Sequence, residues 1–293
     1  MHHRRSLGER TFDWANVLLL TIVSCLALYP FLYVVGLSFG SGPEVASGQM
    51  FLFPKQPTLQ AYKIVLVDDK IATGFVNSVF RTLLGTACTL FATAMAAYPL
   101  SRRRMPFRKS ILFFIIFTML FSGGLVPRYL WFRELGLLDT RLVLVLPIML
   151  TGFNIIILRN FFQQIPESLE EAARIDGASD LAILFRIFIP LSKPALATIA
   201  LWTCVVHWNQ WLDALLFIAD DDKQVLQVFL QRLVVDSSLT RVRYGSEAFD
   251  ANMYSPEAVK AATIVIATLP IIALYPFLQR FFIRGLVMGG VKE

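Results

Sequence analysis

Two groups of residues in this 293-residue chain have the types and spacing for chemistry. The first is the run His207-Trp208-Asn209-Gln210-Trp211-Leu212-Asp213, set inside an apolar stretch. Side-chain amides bond hydroxyl groups and indole faces cover the apolar faces of a sugar ring, so the run suits a carbohydrate. In a helix Asn209 and Asp213 share one face at i, i+4. The run also fits a plainer reading, with Trp211 and Asp213 at a membrane interface and Asn209 bonded to a neighbouring helix. Arg81 stands alone in a second apolar stretch. An ionisable group there is costly and points to function. Arg81 fits a pair with Asp213, a side chain snorkelling to the interface, or a pore cation attracting an acidic sugar.

The second group is the charged stretch Gln163–Pro194, QQIPESLEEAARIDGASDLAILFRIFIPLSKP. Ser168-x-x-Glu171 has capping-box spacing, and Pro166 suits a helix entrance. Leu169, Ala172, Ala173 and Asp176 follow at i, i+3, i+4 and i+7, one face of a short helix. The alanines let another surface approach closely. Gly177 supplies the backbone freedom to end that helix. Ala178–Ile189 reads as a second helix, shaped at its end by Pro190 and Pro194. A lipid-surface helix would be basic. This one carries Glu167, Glu170, Glu171, Asp176 and Asp180, which favours a basic protein surface as partner.

Other chemistries lack their residues. No Gly precedes a Lys, so there is no P-loop. No HExxH, GxSxG or paired-carboxylate pattern occurs, and the three cysteines, Cys25, Cys88 and Cys204, each lie in an apolar run. No catalytic residue, metal site or disulfide framework is expected.

The elements that must position these groups are membrane spans. The chain is 56% hydrophobic and 16% charged, with mean hydropathy +0.61, against about 25% charged in an average soluble domain. A spanning helix needs roughly 20 mostly apolar residues. Six stretches qualify, near 14–37, 74–100, 110–131, 142–158, 195–219 and 261–279. The expected fold is an all-α integral membrane protein with six transmembrane helices and a cytoplasmic hairpin at 163–194, as a single domain over 1–293. The first stretch is too long for a cleaved signal and lacks a small-x-small site. With the N-terminus inside, 15 of the 27 basic residues fall in inside segments, while the acidic residues lean outward. The net charge of +6 is thus a topology signal, and no nucleic-acid partner is called for. Both termini and the hairpin are expected in the cytoplasm. Two longer loops, near 39–73 and 220–260, are expected outside.

The hairpin also carries a resemblance. Glu171-Ala172-Ala173, three residues, Gly177, nine residues, then Ile187-x-Ile189-Pro190 is similar to the EAA motif of permease subunits of binding-protein-dependent ABC importers. Ile189 in place of Leu is the one departure. NSVFRTLLGT from Asn77, FSGGLVPRYL from Phe121, LGLLDT from Leu135, HWNQWLDAL from His207 and the ending from Tyr275 resemble the sugar-importer type. They look most like its oligo- and polysaccharide subgroup, which includes alginate importer permeases. The resemblance implies a coupling helix docked on a cytoplasmic ATPase, with Glu171 pairing a basic residue there. Ala172 and Ala173 would permit close approach, Gly177 would make the turn, and Asp176, Ile187 and Pro190 would complete the contact element. It implies two ATPase subunits that carry ATP and Mg, a second, similar permease and a solute-binding protein in the periplasm or outside the cell. It also implies a bacterial inner membrane, and import by alternating access. The candidate substrate pathway is Asn77, Arg81, His207, Trp208, Asn209, Trp211 and Asp213. The competing expectation is a secondary carrier driven by an ion gradient, or an importer of a neutral oligosaccharide or another solute.

Overall fold

A computed structural model describes residues 7–48, 52–235 and 255–290. Arg4, Arg5 and Lys292, which are among the 15 basic residues expected inside, and residues 236–254 of the second long loop lie outside the described residues. Among the described residues all regular structure is helical. Three helices are individually long and apolar enough to cross a membrane, and three bent pairs bring the number to as many as six.

Helix α1, Leu7–Ser38, is apolar on every side beyond Asp13. Its hydroxyls are satisfied within the helix, Thr21 Oγ1 donating to the Val17 carbonyl at 2.8 Å and Ser24 Oγ to Leu20 at 2.7 Å. Helices in lipid need that internal satisfaction. Helix α2, Asp69–Ser101, turns a face of small and polar residues inward, including Ser78, Gly85, Thr89 and Ala97. Small residues let helix backbones approach closely, which drives packing where lipid removes the hydrophobic difference.

The third, fourth and fifth spans differ from the uninterrupted helices expected. The third is helix α3, Arg108–Leu120, then helix α4, Leu125–Glu134, turned by 113°. Gly124, at φ +84°, redirects the chain at that break. The fourth begins as 3-10 turns over Arg141–Ile148 and continues, bent by 51°, as helix α5, Gly152–Phe162. Pro147 interrupts the hydrogen-bond ladder, and the Thr151 side chain caps α5 by accepting the Asn154 N–H at 3.4 Å. The fifth stretch, read as helical through residue 219, stops at Asn209. Gln210 is extended (ψ 120°), and a separate short helix runs over Leu212–Phe217. The sixth is one helix, Pro256–Gly290, with Pro270 and Pro276 inside it.

Contacts divide the chain into two units, Met1–Asp69 with Arg232–Thr268, and Lys70–Gln231 with Leu269–Glu293. In the first, Ser38 Oγ and the Tyr62 hydroxyl are hydrogen-bonded at 2.7 Å, and the Phe39 ring lies 5.1 Å from that of Tyr62. The second holds both candidate groups and two apolar cores. One core joins Ala94, Ala97, Leu158 and Phe162 to Ile183, Leu184 and Phe188 of the hairpin. The other joins Phe132 and Val143 to Ala214, Phe217 and Val228.

Candidate functional site

The hairpin forms from two helical arms. Helix α6, Glu167–Ile175, begins at Pro166 with no side-chain cap. The expected capping box is therefore not formed. Proline's fixed φ starts the helix one residue ahead of Ser168, so Ser168 already lies inside the first turn. Glu171 is left free of any capping duty. The far end is as expected: Gly177 at φ +80° ends the arm, its N–H bonding the Arg174 carbonyl at 3.0 Å and the Ala178 N–H the Ala173 carbonyl at 2.9 Å. That pair of bonds is a Schellman motif, which needs a residue tolerant of positive φ. The second arm, helix α7 over Asp180–Leu191, starts at Ser179, whose hydroxyl accepts the Ala182 N–H at 3.3 Å. Its middle turns, Leu184–Phe188, are π-helical. Pro190 removes one donor from this ladder.

The two adjacent glutamates of α6 differ in burial and pairing. Glu170 is buried and pairs with Arg102 and, at 2.9 Å, with Arg174. Glu171 is exposed, on the outward face with Ala172 and Ile175, and Ile175 is 86% exposed. The single face expected for Leu169, Ala172, Ala173 and Asp176 is divided, because Ala173 packs against the apolar core while the others are exposed. Ile187 also packs against that core, and Pro190 and Asp176 are exposed. A cleft of about 440 Å3 borders α6, lined by the Arg102–Glu170–Arg174 group together with Arg103, Arg104, Glu167 and Glu171. The Arg174 guanidinium is held above its ordinary value, first by its hydrogen bond to Glu170 and also by Asp180.

The second group sits at the break after Asn209. The Arg81 side chain is 2% exposed and grips Asp213 with both terminal nitrogens, one at 3.1 Å. It also donates to the Gln210 carbonyl at 2.8 Å. Gln210 sits where the ladder fails, so Arg81 satisfies backbone that the break exposes. Of the three readings of Arg81, the structure has the pair. Asn77 Nδ2 donates to the carbonyls of Asp222 at 2.8 Å and Gln224 at 3.0 Å, which fastens the following loop to α2. His207 is buried against Gly85, where an added Cβ would come within 2.3 Å of the imidazole. Trp208 is buried, edge-on to Phe75 at 5.8 Å, beside a cavity of about 220 Å3. Trp211 packs against the Phe132–Phe217 core, and Asn209 is exposed. The expected shared face of Asn209 and Asp213 is not formed, because Gln210 ends the helix between them.

Three residues with marked roles escaped the sequence reading. Arg102 and Glu170 look like their neighbours in a basic run and an acidic run. The one signal was the i, i+4 spacing of Tyr98 and Arg102. Gln224 is buried, its amide donating to the Ile218 carbonyl at 2.7 Å. Nothing in the sequence marked it.

These features define a multi-spanning helical membrane component with an anchored hairpin that displays an acidic and apolar face. A family model for binding-protein-dependent transport system inner membrane components matches residues 89–288. The chain belongs to that family, and the resemblance read from Glu171 to Pro190 holds. It is 45% identical over 293 residues to Protein LplC of Bacillus subtilis (strain 168), covering 100% of this chain and 98% of the relative. It is 41% identical over 286 residues to the polygalacturonan/rhamnogalacturonan transport system permease protein YtcP of the same organism, covering 98% and 100%. Among solved structures it matches a chain of a bacterial ABC transporter involved in the import of the acidic polysaccharide alginate. That match has a TM-score of 0.90 and 40% identity, over 96% of this chain and 99% of the other.

Proposed function

We infer that this chain is the permease of an ATP-driven importer for an acidic oligo- or polysaccharide, working by alternating access in a bacterial inner membrane. The observation that carries the reading is the outward Glu171, Ala172 and Ile175 face on a hairpin whose other side is packed into the spans. A basic groove on a cytoplasmic ATPase is the surface it fits. Two such ATPases would supply ATP and Mg. A second, similar permease would complete the pore, and a solute-binding protein would deliver the saccharide at the outer face. Both termini would lie in the cytoplasm. The acidity of the substrate is supported by two similar proteins, one named for polygalacturonan and rhamnogalacturonan and one for alginate import.

One observation favours a neutral saccharide instead. Arg81, the cation placed to attract a uronate, is taken up by Asp213. The test is uptake by the full transporter, reconstituted with its ATPases, second permease and binding protein. Uronate oligosaccharides and neutral oligosaccharides of equal length are compared with and without ATP. ATP-dependent uptake restricted to the uronates is expected. Equal uptake of the neutral sugars removes the acidic assignment, and uptake that needs an ion gradient but no ATP removes the importer class.

A further inference from the structure

Arg102 follows the last residue of α2. Its guanidinium carbon lies 4.1 Å from the centroid of the Phe188 ring and 5.4 Å from that of Tyr98. One terminal nitrogen pairs with Glu170. Its Nε and other terminal nitrogen are buried with no hydrogen-bond partner among the described residues. Burying a cation with two open donors is costly, and the facing aromatic rings are what offset it. Its neighbours Arg103 and Arg104 are exposed, so a basic loop at a membrane surface does not account for its position.

The residues around Arg102 belong to three elements. Tyr98 is on α2, Glu170 on the first arm of the hairpin and Phe188 in the π-helical turns of the second. The charges continue across the hairpin, because Arg174 bonds Glu170 at 2.9 and 3.1 Å and Asp180 at 2.5 Å. Tyr98 and Phe188 also meet edge-on at 5.1 Å. A single, largely buried cation thus touches α2 and both arms. Farther along the same helix, Arg81 holds the broken fifth span, roughly 30 Å away at the usual rise per residue.

We propose that Arg102 is a positioning residue, a latch that makes the hairpin and α2 move as one body. A displacement imposed on the hairpin then reaches the Arg81–Asp213 pair through α2. The proposal rests on the reading that an ATPase drives the hairpin, and it concerns transmission rather than docking, since Glu170 is already paired with Arg102 and Arg174 while Glu171 is exposed.

The test uses the complete reconstituted transporter carrying Arg102→Gln, Arg102→Lys or Glu170→Gln. The latch predicts an intact complex and near-normal basal ATP hydrolysis for all three. Uptake per ATP falls at least tenfold for Arg102→Gln and Glu170→Gln, and Arg102→Lys, which keeps the cation, recovers part of it. Wild-type coupling in Arg102→Gln overturns the proposal, and so does dissociation of the complex with loss of basal hydrolysis, which marks a stability residue. A second readout needs no partner subunit. In the purified Arg102→Gln chain, amides 169–188 exchange hydrogen at least tenfold faster while amides 77–93 of α2 keep their protection. Unchanged exchange in the hairpin sinks the latch whatever the ATPase does. If the wild-type transporter itself fails to couple ATP to uptake, the importer reading is at fault, and hydrogen exchange alone decides the latch.

Discussion

Arg81 and Asp213, 132 residues apart in the chain, form a two-pronged ion pair across the break in the fifth span. Arg81 also holds the Gln210 carbonyl, so a buried cation compensates both a carboxylate and an interrupted helix. Removing one partner of such a pair leaves an uncompensated buried charge, at a cost of about 3–5 kcal/mol. Asp213→Asn is therefore expected to lower the melting temperature of the detergent-purified chain more than the double variant Arg81→Leu/Asp213→Leu. A single variant that melts with the wild type, and loses only acidic substrates when transported, would restore Arg81 as a pore cation.

Gly85 and His207 set how closely α2 and the fifth span approach. A Cβ on Gly85 would lie 2.3–2.6 Å from three imidazole atoms. Overpacking of this kind costs about 1–3 kcal/mol. Gly85→Ala is expected to destabilise the chain by that order in thermal unfolding, and Gly85→Ala/His207→Ser to recover most of it. Additive losses in the double variant would show that the two residues do not share the contact.

Glu171 has no capping role and no partner among the described residues. Exposed substitutions of this sort change stability by about 0.5 kcal/mol or less. Glu171→Gln should unfold with the wild type yet lose stimulation of ATP hydrolysis by loaded binding protein in the assembled transporter. Undiminished stimulation would remove the ionic docking role.

The loop over residues 219–224, bonded to Asp139, should respond to acid. The Asp139 carboxylate accepts the N–H groups of Asp220 at 3.1 Å and Ala219 at 3.2 Å, and the Lys223 ammonium at 3.1 Å. The Asp220 N–H first, then Lys223, holds Asp139 below the ordinary carboxylate value. A lowered carboxylate stabilises fully above its unfolded value, and that contribution is lost as pH falls through the folded one. Lys223 is raised, first by Asp139 and next by Asp220. Its contribution is complete below the ordinary lysine value and fades only in alkali. Protection factors of amides 219–224 should hold from neutral pH to mildly acidic pH and drop below about pH 4. Asp139→Asn should show reduced protection at neutral pH and no acid step. An acid step that persists in that variant would assign the effect to another group.

Legibility followed how local each cause was. The Gly177 turn was legible because a Schellman motif is made by neighbouring residues and one positive φ. Pro166 was legible as a helix entrance, yet the capping box was not formed, because a one-residue shift in the helix start decides which side chain can cap. The third-span break lay under Gly123-Gly124 and Pro127, residues that can equally sit within transmembrane helices. The fifth-span break had no local breaker at all. Gln210 can leave the helix only because Arg81, from a distant helix, accepts the cost of its open carbonyl.

The sequence by itself determined the class, the number of apolar stretches, the position of the hairpin and its turn. Those follow from bilayer thickness, charge asymmetry and backbone chemistry, which act over a few residues. Only the tertiary structure decided which of two adjacent glutamates stays exposed, which of three consecutive arginines is withdrawn from solvent, and where the fifth span stops. Each of those depends on a partner brought close from far along the chain: Arg102 for Glu170, Phe188 for Arg102, and Arg81 for Gln210 and Asp213. The free energy of a buried charge is set by such a partner and by exclusion of water, neither of which a linear spacing records.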